Sequence, residues 1–215
     1  MTLRELLIIE RIMKGRGSGP KPSFSKYDLL KTLWLVYNLG PTGRKVLAET
    51  LHLGEGSVRT IIKYLQQASL VKKSGSGCEL TGKGRVVAER IWRLLVKQIR
   101  LPKNTLVNGE YVYGILIRGS ASKVRNGLEQ RDAAVKVGAN GATTIICRGE
   151  QLIIPPETEP PPEDWVRMAE MIYRKFEPQD RDVIIISGAD NEAVAERAAL
   201  AGSWTLLMDR QYRNI

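Results

Sequence analysis

The first hundred residues show an order of secondary-structure patterns that few folds share. Apolar residues recur at helical spacing over 26–38, 43–52 and 57–68. Two short strand patterns then flank a Gly/Ser turn at 74–77, and a longer helical pattern covers 83–99. Three helices, a hairpin and a further helix describe a small domain of mixed secondary structure.

This order of elements is typical of a winged helix-turn-helix, in which one side of the third helix is exposed. The turn before that helix, residues 53–56, contains two glycines, which adopt backbone angles that other residues avoid. Within the helix, Val58, Ile61, Ile62 and Leu65 follow the i, i+3, i+4, i+7 pattern. We therefore predict that this stripe packs inward and that the remaining side chains lie outside or on the flanks.

Two segments resemble winged-helix transcription regulators. Residues 53–65 together with 70–71 resemble the recognition helix of the MarR and GntR families. Residues 80–85, Leu-Thr-Gly-Lys-Gly-Arg, resemble the segment that follows the wing in MarR-like and iron-dependent repressors. The resemblance implies duplex DNA as the partner, while winged helices that bind proteins or RNA leave those partners as alternatives.

Positive charge is concentrated in the same half of the chain. Lys and Arg outnumber Asp and Glu by 19 to 7 in residues 1–100 but are outnumbered by 14 to 16 in residues 101–215, which together give a net charge of +10. A basic module joined to a nearly neutral one indicates that one half meets a polyanion while the other has a separate role. A solvated basic face is the alternative.

The outward face of the third helix carries side chains predicted to contact DNA. A helix fits the major groove, where Arg59 and Lys63 would reach guanine or phosphate. Lys72 and Lys73, near the wing, suit backbone phosphates, which position a protein without reading sequence. The complete predicted DNA-binding set is Arg44, Lys45, Ser57, Arg59, Thr60, Lys63, Lys72 and Lys73.

The helix predicted over 83–99 carries more apolar surface than one small domain needs. Long helices beside a wing often pair two subunits, so we expect a homodimer with Trp92 as a candidate contact. Packing of this helix within its own chain is the alternative.

Three regions are predicted along the chain: an N-terminal helix and flexible linker over 1–22, the winged helix over 23–100, and a second domain over 105–215. The second domain has the order β-α-β-β-α-β followed by a helix and a strand, which predicts a two-layer α+β fold. Its hairpin argues against an all-parallel sheet. The predicted strands are 111–117, 143–147, 151–154, 183–186 and 204–208, the predicted helices are 121–137, 163–176 and 191–201, and a proline-rich connector covers 157–162.

Two small-residue turns, 118–122 and 187–190, each follow a predicted strand and precede a helix, where free backbone N–H groups favour anions. If their strands are neighbours, the turns would share one crevice for a small anionic effector; plain strand-to-helix turns are the alternative. Glu129 and Asp132 lie at i, i+3 on a predicted helix. They are either a carboxylate pair or part of a solvated helix face. The candidate effector residues are Arg118, Ser120, Gln130, Arg131, Asp132, Ser187 and Asp190.

Residue types common in catalytic and metal sites are scarce. His52 is the only histidine, and Cys78 and Cys147 form no CxxC pair, so we expect no metal, no cofactor and no catalytic site. Three features predict a cytoplasmic protein: the cysteines are isolated, no apolar run reaches about 18 residues, and the N-terminus is unlike a signal peptide. An enzyme with an appended winged helix is an alternative that requires its candidate carboxylates to converge in a pocket.

Three motifs in this one chain together resemble an archaeal family of predicted transcriptional regulators. They lie at 16–17 with 22–25, at 54–60 and at 129–134. Members join an N-terminal winged helix to a C-terminal α+β domain of unknown function, which implies a DCoH/GAD-like fold for that domain and names no ligand. We therefore expect a sequence-specific double-stranded DNA-binding transcriptional regulator with a C-terminal ligand-sensing or assembly domain. A protein- or RNA-interaction module of the transcription or translation machinery is the main alternative.

Overall fold

The computed structural model describes residues 4–14, 22–157 and 163–208. These residues form a mixed α and β protein, with helices in the N-terminal part and a five-stranded sheet in the C-terminal part. They divide into two compact units, one ending at Trp92 and one beginning at Arg93. Residues 15–21 of the predicted linker and 158–162 of the predicted proline-rich connector lie outside the described residues.

The N-terminal unit follows the predicted order of elements. In chain order the elements are α1 (Arg4–Lys14), α2 (Lys26–Leu39), α3 (Arg44–Leu51), α4 (Glu55–Gln67), the strands β1 (Val71–Ser74) and β2 (Gly77–Leu80), and α5 (Gly82–Trp92). The structure therefore confirms the three helical patterns that precede the hairpin, because every boundary lies within two residues of its predicted place.

One stripe of α4 forms the centre of this unit's core. Val58, Ile61, Ile62 and Leu65 are all buried, as their spacing predicts. Helices α2 and α3 pack against α4 and contribute the buried leucines Leu29, Leu30, Leu33, Leu47 and Leu51. Burial of each such side chain contributes roughly 1.5–3 kcal/mol, so the stripe holds α4 firmly while its outer face stays in solvent.

The hairpin formed by β1 and β2 is attached to the rest of the unit through β2. The strands pair antiparallel around a two-residue loop at 75–76. Cys78 and Thr42 exchange two backbone hydrogen bonds of 2.9 Å each, which attaches the hairpin to the chain just before α3. Gly77 has a φ of +139°, and a Cβ there would lie 2.5 Å from the carbonyl oxygen of Thr42, so only glycine allows this approach.

The predicted helix over 83–99 is wrong in its second half. Helix α5 ends at Trp92, and Leu95–Leu101 form a strand, β3, which pairs antiparallel with β4 (Tyr111–Ile117). Because β3 belongs to the sheet, the two units divide earlier than the boundary predicted near residue 100. A β-bulge at the start of β3 interrupts the alternation that marks a strand. The homodimer that was expected from the longer helix stays a prediction.

The C-terminal unit is built on one antiparallel sheet. After β3 and β4, its elements are α6 (Leu128–Val135), β5 (Gly141–Arg148), β6 (Gln151–Ile153), α7 (Trp165–Phe176), β7 (Val183–Ala189) and α8 (Glu192–Leu207). The strand order is β3-β4-β7-β5-β6, and every neighbouring pair is antiparallel. The predicted β-α-β-β-α-β order is thus confirmed from β4 to β7.

Helices cover both faces of this sheet, so the predicted two-layer arrangement is wrong. On one face, Phe176 of α7 shares a core with Leu116 and Ile184. On the other face α8 approaches so closely that a Cβ on Gly202 would lie 2.9 Å from the side chain of Ile185. Strand β7 is buried along its whole length because it lies between the two helical layers.

Two other segments differ from their predictions. Residues 204–207, predicted to begin a final strand, form the last turn of α8. This helix is buried around most of its circumference, so its apolar run shows no helical period. The predicted helix over 121–137 is instead a short 3-10 turn, Ala121–Lys123, followed by α6. Gly127, with a φ of +77°, separates the two and precedes the first residue of α6.

Candidate nucleic-acid interface

Four basic side chains from three elements line one cleft of the N-terminal unit. Arg44 begins α3, Arg59 and Lys63 lie on α4, and Lys73 lies on β1. The cleft has a volume of about 490 Å³. Its other lining residues are Ile62, Gln66, Ser74, Gly77 and Cys78. The fold thus brings together four of the eight side chains predicted to contact DNA.

The spacing along α4 explains why these side chains share the cleft. Arg59, Ile62, Lys63 and Gln66 stand at i, i+3, i+4 and i+7, a second stripe displaced by one residue from the buried one. Ile62 belongs to both stripes and is only 5% exposed, so it forms part of the cleft floor. The helix therefore presents two cations and an amide to solvent from a backbone that the core holds in place.

The cations of the cleft lack acidic partners within the residues that the structure describes. Arg44, Arg59, Lys63 and Lys73 are all exposed, and none forms an ion pair with a described Asp or Glu. Like charges gathered on a concave surface without counter-charges create a strong positive potential, which attracts polyanions. The electrostatics of the cleft therefore favour a partner that presents several negative charges.

The two lysines of the hairpin face opposite sides, because successive residues of a strand point in opposite directions. Lys73 lines the cleft with its cross-strand partner Cys78. Lys72 instead pairs with Glu79, its Nζ 3.0 Å from Oε1. The structure therefore favours Lys73 over Lys72 as a phosphate contact, a distinction that required the register of the hairpin.

The remaining three residues of the predicted DNA-binding set do not line the cleft. Ser57 Oγ is 2.6 Å from Ser23 Oγ, and Thr60 Oγ1 donates to the carbonyl oxygen of Gly56 at 3.0 Å. Lys45 is exposed on α3, outside the lining of the cleft. These three side chains stay candidates for contacts at its edge.

Gln66 and Cys78 are among the lining residues that the sequence analysis did not predict. Gln66 carries amide donors and an acceptor into the cleft, and its position seven residues after Arg59 was the available signal. Cys78 lies under the cleft, where burial, reinforced by the charge of Glu79, raises the pKa of its thiol to about 11. At neutral pH this thiol is un-ionised and acts as a small apolar group.

The turns predicted to share an effector crevice lie at opposite ends of the sheet. Strands β4 and β7 are neighbours, but Ile117, the last residue of β4, pairs with Val183, the first residue of β7. The turns at 118–122 and 187–190 are therefore separated by most of a seven-residue strand, about 20 Å. The prediction of a shared crevice is wrong, because neighbouring strands bring their carboxyl ends together only when they run parallel.

Several of the candidate effector side chains are committed to hydrogen bonds inside the fold. The Arg118 guanidinium donates to the buried carboxylate of Asp182, with Nη1 2.5 Å from Oδ2. Gln130 is buried and donates from Nε2 to Thr205 Oγ1 at 2.6 Å. The fully buried hydroxyl of Ser187 donates to a carbonyl oxygen of α8 at 2.5 Å. These contacts stabilise the fold.

The other candidates are dispersed. Ser120 is buried and donates to the carbonyl oxygen of Arg118 at 3.1 Å. Arg131 and Asp132 are exposed and form an ion pair with each other at 3.7 Å. Asp190 Oδ1 accepts a hydrogen bond from Asn140 Nδ2, just before β5, at 2.8 Å. The predicted set does not converge. Arg118 and Asp190, which an enzymatic pocket would have required together with Asp132, lie at opposite ends of the β4–β7 pair.

Metal and membrane signals are absent from the described part of the chain. No group of three or more His, Cys, Asp or Glu residues in 4–14, 22–157 and 163–208 is placed to hold a metal ion. None of the helices in those ranges combines the length and the apolar character that crossing a membrane requires.

A basic helical unit joined to a helix-covered antiparallel sheet defines a two-part class of protein, and each part matches a known family model. Residues 27–86 match the model described as PH0730-like, N-terminal domain. Residues 107–206 match the model described as Domain of unknown function (DUF4443).

Among solved structures, the chain is similar to the hypothetical protein PH0730 from Pyrococcus horikoshii OT3, with 26% sequence identity and a TM-score of 0.67. The match covers 86% of this chain and 93% of that chain. The relative is archaeal, in agreement with the archaeal family that the sequence motifs resemble. No curated protein matches the chain.

Proposed function

We propose that the chain is a sequence-specific, double-stranded DNA-binding transcriptional regulator whose N-terminal unit is a winged helix-turn-helix. The cleft carries the proposal: exposed cations from α3, α4 and β1 converge on it without an acidic partner among the described residues. The sheet-containing unit would sense a ligand or hold an assembly together.

The order and size of the elements support this mode of binding. Helices α3 and α4 are joined by residues 52–54, as in a helix-turn-helix, and the β1–β2 hairpin follows as the wing. Helix α4 has 13 residues and so extends about 20 Å along its axis. Its diameter, about 10–12 Å with side chains, fits a major groove roughly 12 Å wide. The Thr42–Cys78 bridge attaches this hairpin to the chain just before α3.

Each lining side chain has a role that suits its place. Arg59 lies in the N-terminal half of α4, the part of a recognition helix that contacts base edges. Its guanidinium can donate two parallel hydrogen bonds to a guanine. Arg44 and Lys73 lie on the flanking elements, where phosphate contacts position a protein.

Selection from a pool of random duplex DNA, followed by sequencing at moderate and raised salt, tests the proposed function. We expect an enriched motif that survives raised salt, because base contacts are less dependent on counterion release than phosphate contacts are. Enrichment of an inverted repeat with half-sites about 34 Å apart would support a homodimer. Binding that shows no motif and falls steeply with salt would contradict sequence-specific recognition.

The hairpin provides a matched pair of variants. We expect Lys73→Ala to weaken binding to all duplexes by about fivefold and to reduce the salt dependence by about one phosphate contact. Lys72→Ala should change affinity less than about twofold, because Lys72 faces away from the cleft and is paired with Glu79. Fluorescence anisotropy over a series of salt concentrations measures both quantities. Equal losses in the two variants would show that total charge, not the cleft, drives binding.

Arg59→Ala separates base reading from phosphate contact. If Arg59 contacts a base, the variant should lose about 1–3 kcal/mol of discrimination between the selected motif and a duplex changed at one base pair. Repeating the anisotropy titration with a set of single-base variants of the motif locates the position affected. A uniform loss on every duplex would assign Arg59 to phosphate.

A further inference from the structure

The C-terminal unit has a concave site that the sequence did not indicate. A groove of about 590 Å³ lies between α7 and the segment that follows β3. Pro102, Lys103 and Asn104 line one side of it. Arg167, Glu170 and Arg174 line the other side, above a floor formed by Met168 and Met171.

The groove is formed before any ligand arrives, because its floor and one wall are fixed by the fold. Met168 is 2% exposed and Met171 is 8% exposed, and both belong to the core beneath the sheet. In the wall, Asn104 Nδ2 donates to the carbonyl oxygen of Pro102 at 3.0 Å, and Oδ1 accepts from the Leu106 N–H at 3.0 Å.

A further hydrogen bond attaches this wall to the start of α7. Thr105 Oγ1 donates to Asp164 Oδ1 at 2.6 Å, and Asp164 directly precedes the helix. A ligand entering the groove would therefore order few groups of the protein, which reduces the entropic cost of binding.

Positive charge dominates the rim. Arg167 and Arg174 are seven residues apart on α7, about 10 Å along the helix axis, and neither forms an ion pair with a described acidic residue. Lys103 pairs with Glu110 at 3.3 Å, but both side chains are about 70% exposed, so solvent screens this contact and it competes weakly with a ligand. Glu170, between the two arginines, is the one acidic residue that lines the groove in the described part of the chain.

We infer that this groove binds an organic molecule with two separated anionic groups. Guanidinium groups form paired hydrogen bonds with phosphates or carboxylates, and the two arginines place such sites at the two ends of the groove. Glu170 repels a charge placed midway, so a compact anion is disfavoured. The volume lies within the usual range for small-molecule sites.

Isothermal titration calorimetry of the full chain tests this inference with three probes. Adenosine 3′,5′-bisphosphate separates two phosphates on a body with an aromatic base, adenosine 5′-monophosphate has one phosphate, and pyrophosphate has two charges and no body. We expect the bisphosphate to bind at least about tenfold more tightly than either of the others. Pyrophosphate binding as tightly as the bisphosphate would overturn the inference, because charge alone would then explain it.

Variants on α7 locate the site. Arg167→Ala/Arg174→Ala should weaken binding of the bisphosphate by at least about tenfold, and alanine preserves the helix. Lys175→Ala removes one charge from the same helix outside the groove and should have little effect. Glu170→Gln should tighten binding severalfold, because it removes the repelling carboxylate. Equal affinity in the double variant and in the unmodified chain would overturn the assignment.

The basic cleft of the N-terminal unit also attracts anions, so an additional control separates the two sites. Arg59→Ala/Lys63→Ala should retain the full affinity for the bisphosphate. Loss of bisphosphate binding in this variant would place the anion in the basic cleft and overturn the inference. Neither result depends on a DNA-binding measurement, so the groove and the proposed DNA-binding function stand or fall separately.

Discussion

Gly84→Ala is expected to lower the free energy of unfolding of the N-terminal unit by at least about 3 kcal/mol. A Cβ at residue 84 would lie 1.8 Å from the carbonyl oxygen of Leu70 and 2.8 Å from its carbonyl carbon. Both atoms belong to the backbone, so a shift of α5 or of the chain before β1 must relieve the clash. That Leu70 carbonyl also accepts the Thr81 N–H at 3.0 Å, which leaves it little freedom to move.

Hydrogen exchange followed by mass spectrometry measures this effect separately for each unit. Amides of α4 and α5 should exchange much faster in Gly84→Ala, while those of β5 and β7 should keep their rates. Gly82→Ala is the matched control, because a Cβ at residue 82 meets nothing within 4 Å. It should be neutral or stabilising by up to about 1 kcal/mol. Similar exchange in the two variants would contradict the close approach of α5 to Leu70.

Asp182→Ala is expected to destabilise the C-terminal unit by about 3–5 kcal/mol. The Asp182 carboxylate is fully buried and accepts from three donors: Arg118 Nη1, the Gly119 N–H at 2.9 Å and the Gln179 N–H at 2.8 Å. Removal of the carboxylate leaves all three donors without this acceptor, and each unsatisfied buried donor costs about 1–3 kcal/mol. Urea denaturation monitored by circular dichroism measures the loss.

Asp180→Ala is the matched control for this prediction. Asp180 is exposed, accepts from the Gly149 N–H at 2.7 Å and approaches Arg181 at 3.5 Å. We expect a cost of no more than about 1 kcal/mol, because water can replace these contacts. If the two variants were equally stable, the carboxylate of Asp182 would not be what joins the end of β4 to the turn before β7. Arg118 would then return as a candidate ligand for an anion.

Helix α4 could be predicted from the sequence because only part of its surface is buried. The contrast between its apolar stripe and its polar side chains appears directly as a 3.6-residue period. Helix α8 lacks that contrast, since most of its residues are buried, and its apolar end therefore resembled a strand. Strand β3 could not be predicted for a different reason, because its bulge displaces the alternation that identifies a half-buried strand.

The candidate site shows the same division between local and long-range information. Arg59 and Lys63 could be assigned to an outer face from spacing on one helix. Which of Lys72 and Lys73 joins them depends on the register of the hairpin, which adjacent positions in a sequence do not reveal. The prediction of an effector crevice depended on the relative direction of two strands far apart in the chain. Because these strands pair antiparallel, the two turns lie at opposite ends of the strand pair.

The resemblance of residues 80–85 to the step after a wing has a physical basis in the structure. Thr81 Oγ1 accepts from the Gly84 N–H at 2.9 Å and so caps the first turn of α5. Gly84 allows that turn to approach Leu70. A glycine three residues after a threonine therefore marks the place where the helix after the hairpin closes onto the chain before it.

The burial of both cysteines makes the tip of the hairpin a convenient place for a chemical label. Cys78 and Cys147 are the only two cysteines of the chain, and burial is the main cause that raises the pKa of each thiol. Maleimide reagents, which require thiolate, should therefore react slowly with the native protein. A cysteine introduced at Ser76, in the exposed loop at 75–76, would react first. The chain could thus carry a single fluorophore at the hairpin tip while both native thiols stay in place.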